Sequence, residues 1–269
     1  MVKEKKKGKL KKILLTILGV VLSVILISTI VIFIIAKKNV SVMEASLDSA
    51  MAELKKHYSI TELDPGEYKD LTLYGIMNFD VSQYYIEELG NLSVMSVDIG
   101  VMQMSTFVIT PFDKNMPLLS IDYMYMLDNR ICYIEFYDLV EEKDEKYNAL
   151  MDDLKDVADK YNHLEDAEVS EAWYAYLQTI GIYKNGGSKN DSEYKSLFVD
   201  TLNTYFTHAK DMPQLADEQK SVKLDMTVEY THNLVDKGGI STDVFKGALG
   251  PDETKKFFDK TFFGTNGMK

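Results

Sequence analysis

Residues 116–139, MPLLSIDYMYMLDNRICYIEFYDL, contain two runs rich in aromatic and branched side chains, split by LDNR. Two such runs around a short polar break predict a β-hairpin. With Asp128-Asn129 as its two-residue turn, Met126 faces Ile131, Met124 faces Tyr133 and Asp122 faces Glu135. Alternation along each strand then gives the hairpin two faces. One carries Leu119, Ile121, Tyr123, Cys132, Ile134 and Phe136, a set suited to packing against a helix. The other carries Met124, Met126, Ile131, Tyr133 and Tyr137 together with the two acids. Two readings of those acids stay open. If the face is covered, burial and mutual repulsion hold one carboxyl protonated near neutral pH, which makes it a proton donor. If it is open to solvent, the acids only keep a strand soluble. A one-residue slip would carry Glu135 to the opposite face, so the reading of Asp122 depends less on register.

Strand-like runs at 71–79, 92–99 and 102–110 precede the hairpin, joined mostly by short polar or glycine-containing turns, which predicts an antiparallel meander. After it, residues 143–161 repeat apolar side chains at helical spacing (Tyr147, Leu150, Met151, Leu154, Val157). A further strand-like run, 172–183, ends at the loop KNGGSKND. Helical patterns follow at 191–209 and about 215–235, and a last helix opens at Gly250-Pro251-Asp252-Glu253, where proline and two acids suit a first turn. Strands first and helices later predict an α+β fold, a three-layer α/β/α sandwich around a central antiparallel sheet.

At the N-terminus, residues 1–12 hold seven lysines and residues 13–36 are 24 residues without a charge, enough for a transmembrane helix. A cleaved signal peptide would have a shorter apolar region and a small-residue cleavage site, so an uncleaved anchor is expected. The lysine asymmetry about the span places the N-terminus in the cytoplasm and the main domain outside the cell membrane. Residues 39–67 read as a helical connector, and residues 68–269 as the domain. Without residues 1–38, 21 basic and 41 acidic side chains remain, a charge near −20. That balance excludes nucleic acid and anionic lipid surfaces as partners. The single cysteine, Cys132, leaves no intrachain disulfide and no cysteine-rich metal site. His57, His163, His208 and His232 are too far apart for a local metal motif, and no metal site is predicted.

Residues 68–264 resemble the ferredoxin-dependent bilin reductases, which reduce the linear tetrapyrrole biliverdin. The resemblance is carried by the order of MPLLSID (116–122), EFYDL (135–139), NLVDKGG (233–239) and VFKGALGPDETKKFFDKTFFG (244–264). It implies a catalytic proton donor at Asp122, a second acid at Asp236 (or Asp243, because the loop is longer), and no tightly bound cofactor. An external ferredoxin-like donor would supply electrons. The residues expected to contact substrate are Glu135, Met124, Thr106, Ser105, His208 and His232, with His208 and His232 on late helices that would cover a pocket. This sequence departs from the family pattern at three places. Ser105 or Thr106 stands where members carry histidine or asparagine, Met95 stands near a catalytic glutamate of one branch, and Arg130 is the only arginine. An exterior domain also sits apart from a cytoplasmic electron donor. The second expectation is therefore a non-catalytic extracytoplasmic module for ligand binding or envelope assembly on the same fold.

Overall fold

The computed structural model describes residues 2–170, 172–239 and 242–268. Its centre is an antiparallel sheet of β1 (Ile60–Leu63), β2 (Asp70–Leu73), β3 (Met77–Ile86), β4 (Gly90–Asp98), β5 (Met102–Pro111), β6 (Leu118–Met126), β7 (Asn129–Tyr137) and β8 (Gln178–Gly187). The strands lie in the order β1, β3, β4, β5, β6, β7, β8, and β2 also pairs with β3. From β3 onward sequence neighbours are spatial neighbours, the meander expected from the short turns.

Alternation along the strands feeds two separate cores. On one face, Phe107, Ile121, Ile134 and Phe136 pack against α1 (Val2–His57), α2 (Glu145–Lys160) and α3 (Asp191–Asp211). On the other, Phe79, Val81, Val97 and Tyr137 pack against α4 (Asp217–Lys237), α5 (Thr242–Leu249) and α6 (Pro251–Phe257). The three-layer α/β/α sandwich is thus the observed architecture. Local chemistry sets the helix ends: Asp144 caps α2 by accepting from the Tyr147 N–H at 2.8 Å, and Pro251 occupies the first turn of α6. The fully buried Lys223 ties α4 to the loops flanking the central hairpin, donating to the Met116 and Leu139 carbonyls at 2.7 and 2.9 Å. Burial pushes its amine down to about 7.

Four local readings are corrected. The run 71–79 is not one strand: Tyr74 and Gly75 take positive φ (53° and 70°) and turn β2 back into β3. The segment KNGGSKND is not wholly a loop, because Lys184 to Gly187 continue β8 against β7. The connector 39–67 is helical only to His57 and then supplies β1. The central hairpin turns at Leu127-Asp128, with Leu127 at φ 54°, so Met126 pairs with Asn129, Met124 with Ile131 and Asp122 with Tyr133. This register differs by two residues from the expected one, and an even shift leaves every side chain on its face.

The first helix is continuous from Val2 to His57, and its segment from Lys12 onward is long and apolar enough to cross a membrane. Its second half belongs to the domain: Met43, Ala50 and Leu54 are buried in the core against α3 and the sheet. Where it reaches the domain, Asn39 donates to the Gln103 side chain (2.9 Å) and the Leu127 carbonyl (3.0 Å). Asn39 accepts in turn from Arg130 at 2.8 Å. Arg130, 1% exposed, also donates to Asp191 at the start of α3 (2.7 Å) and lies 4.1 Å over the Tyr125 ring. The only arginine is therefore a structural clamp on the face away from α4.

Candidate functional site

Between the sheet and the layer of α4 to α6 lies a cavity of about 250 Å³. Its floor is built by register. One cross-strand row sets Met95, Thr106, Asp122 and Tyr133 side by side, and the next sets Ser120 beside Glu135. Asp122 and Glu135 are diagonal neighbours on one face, about 7–8 Å apart by sheet geometry. Both are half-buried, exposed only toward the cavity they line.

Each acid is held differently. Asp122 accepts from the Thr106 hydroxyl at 2.6 Å and the Ser120 hydroxyl at 3.1 Å. Burial raises its pKa above the usual carboxylate value, and the two hydroxyl donors oppose that only in part. Glu135 accepts from Gln178 (2.6 Å), Tyr183 (3.0 Å) and Tyr137 (2.8 Å). Burial raises its pKa too, and the Asp122 charge adds to that, against the pull of its three donors. Both carboxyls thus hold a proton more tightly than they would in water, in a largely apolar chamber. The Tyr183 phenol reaches Glu135 because residue 181 is glycine: a Cβ there would lie 2.5 Å from the Tyr183 ring.

The remaining walls are apolar and aromatic. Met104, Met124 and Ile131 flank the acids on one side, and Tyr137, Tyr174 and Tyr230 close the other. From the covering layer, a wide turn at Phe258–Phe262 after α6 brings Phe258, Phe262 and Phe263 to the cavity. A flat apolar body with a few polar edges fits such walls, with the acids and hydroxyls as its polar contacts.

The structure brings together Thr106, Asp122, Met124 and Glu135 of the sequence candidates, whereas Ser105 pairs with Tyr123 in a row that faces the other layer. It does not bring Asp236, which is exposed at the end of α4 in an ion pair with Lys255 at 2.7 Å. Asp243 is also exposed and does not line the cavity. His208 lies in the opposite layer, bonded to Asp153 at 2.7 Å, and His232 bonds Asp259 at 2.9 Å on the outer side of α4. Met95 lines the cavity where one branch of the resembled family carries an acid. Sequence reasoning missed Gln178, Tyr183 and the phenylalanine turn. Only Gly181 beside Tyr183 in a strand hinted at them, as a place where another side chain crosses the backbone.

Scans against protein families and curated proteins find no match to this chain. Among solved structures it is similar to phytochromobilin synthase from tomato in complex with biliverdin, with a TM-score of 0.68 and 14% identity over 84% of each chain. The chain therefore has the fold of the ferredoxin-dependent bilin reductases.

Proposed function

We infer that this is a membrane-anchored protein whose cavity binds a linear tetrapyrrole or a ligand of similar shape, with Asp122 as proton donor in its reduction. The observation that carries this reading is the Asp122–Glu135 pair, two carboxyls with raised pKa on the wall of an aromatic chamber. The tomato protein of the same fold was solved with biliverdin, which supports the ligand class. Reduction of one double bond takes two electrons and two protons. The electrons would come singly from an external ferredoxin-like donor, one proton would come from the Asp122 carboxyl, and Glu135 is the nearest second acid. Asp122 would be resupplied from solvent after each turnover. The apolar segment 13–36 supports anchoring in the cell membrane, with the N-terminus cytoplasmic and the domain outside as the lysine asymmetry suggests.

Adding biliverdin to the purified full chain in detergent tests the reading. Binding should shift the visible absorption bands, and a reduced ferredoxin system should then bleach the long-wavelength band. Asp122→Asn should retain the binding shift and slow bleaching by at least a hundredfold. No shift with the wild-type chain would remove the reading. A second reading, a non-catalytic extracytoplasmic ligand-binding or envelope-assembly module, is favoured by one observation: Asp236 lies on the surface, outside the cavity. Binding without bleaching under any donor would select it.

A further inference from the structure

The way α1 meets the domain orients the cavity. Asn39, three residues past the uncharged stretch, bonds the β6–β7 turn and the start of β5, while Ile60, just past the helix, pairs with Ile86 at the other end of the sheet. From Asn39 to His57 the helix rises about 27 Å, close to the length of a nine-residue strand, so it runs along the strands. The turns β2–β3, β4–β5 and β6–β7 all lie at the end where α1 leaves the uncharged stretch.

That end is apolar. Beyond residue 36, eight large apolar side chains are exposed among the described residues, and five stand on those three turns: Tyr74, Ile76, Val101, Met126 and Leu127. The two acids on these turns are exposed and held by local hydrogen bonds. Asp98 accepts from Gly100 N–H and Gln103, and Asp128 accepts from Ser188. Toward the turns the cavity is walled by the half-buried Met77, Met102, Met104 and Met124; at its far end Tyr137, Tyr230, Phe258 and Phe263 are buried beside the half-buried Tyr174 and Gln178, and Val169 and Ser170 line it as exposed residues. Asp122 stands four residues from Met126 along β6, about 13 Å from the tip.

We propose that the turn end of the domain lies in the bilayer interface and that the cavity opens there, taking an amphipathic ligand from the lipid phase. The polar part would reach Asp122 and Glu135, and the apolar part would rest among Met102, Met104 and Met124. This orientation rests on α1 being a membrane anchor. With a domain charge near −20, the contact is apolar, so it does not need anionic lipid. The exposed tip residues are of the type that partitions into the interface, and methionine walls adapt to a flexible guest.

The full chain in nanodiscs of phosphatidylcholine provides the test. A nitroxide at position 127 should be reached by dissolved oxygen and shielded from an aqueous nickel complex, and one at the exposed far-end position 176 should show the reverse. Benzoylphenylalanine at position 104 should, on illumination, add the mass of one phosphatidylcholine, and at 176 it should not. A label at 127 as wet as the one at 176, or no lipid adduct at 104, overturns the proposal while leaving the anchor standing. Spin coupling between copies at 127 would mean that a second chain covers the tips, and this too overturns it. A chain that is not retained by the discs defeats the anchor and the proposal together. If both lipid results appear but biliverdin gives no spectral shift, the tetrapyrrole reading fails and the lipid-facing mouth stands.

Discussion

Asp122 is a carboxyl that holds its proton more tightly in the folded chain than in the unfolded one, and this has a thermodynamic signature. Its folded pKa is raised above the unfolded value of about 3.9. The native state therefore binds the proton more tightly, and stability is lost as pH rises from the unfolded to the folded pKa. Asp122→Asn should raise Tm at pH 7 and lose that gain below about pH 3.5, where both states are protonated. Equal shifts at both pH values in calorimetric scans would contradict a burial penalty. Glu135 depends on Gly181. A valine there collides with the Tyr183 ring and takes one donor from Glu135, so Gly181→Val should alter the tyrosine hydroxyl signals and weaken ligand binding about tenfold while the sheet persists. An unchanged affinity would exclude Tyr183 from the site. The acid face was legible from alternation alone because a two-residue error in register does not exchange faces. Asp236 lies outside the cavity, at the exposed end of α4, where it pairs with Lys255, and its proposed role came from resemblance alone.

Among the elements, the β6–β7 hairpin was legible as a hairpin but not in its turn. Asp128-Asn129 is the better turn pair by residue type, yet the tertiary clamp on Leu127 overrides that preference. Its carbonyl accepts from both Asn39 and Arg130, holding a leucine at φ 54°. Arg130 joins three elements at this point: α1 through Asn39, α3 through Asp191 and the hairpin through Leu127. Arg130→Met leaves Asp191 and Asn39 without their partner and should cost about 3–5 kcal/mol. Denaturant unfolding would measure this, and a loss under 1 kcal/mol would show that the clamp is dispensable. Lysine at this position keeps the charge but cannot bond both partners, so it should recover only part of the loss. The β2–β3 turn at Tyr74-Gly75 escaped the sequence reading because residues 71–79 are apolar enough to pass for one strand.

For the molecule as a whole, the boundary of the domain is not where composition changes. The charge break at Lys37 and Lys38 ends the apolar stretch, but the helix continues into the core with Met43, Ala50 and Leu54 buried. A chain starting at residue 37 should fold, whereas one starting at residue 58 should not, because each buried Leu or Met side chain lost costs about 2–5 kcal/mol. Circular dichroism and a cooperative thermal transition would separate them, and a well-folded 58–269 chain would refute α1's place in the core. The three layers were legible because the sheet's two faces and the later helices show in hydrophobic spacing. The cavity was not, since it depends on how α4, α5 and the phenylalanine turn fail to close over the acids.

The unbroken α1 carries no glycine or proline from Val20 to His57, so the segment has no hinge. A rod fixed at one end in the sandwich acts as a lever. If the segment spans a membrane, its 24 uncharged residues, about 36 Å long, exceed a hydrocarbon layer of about 30 Å, and the helix would tilt to fit. With the helix so anchored, a change in that tilt would carry to the sheet, and a thinner or thicker bilayer would raise or lower the turns against the surface.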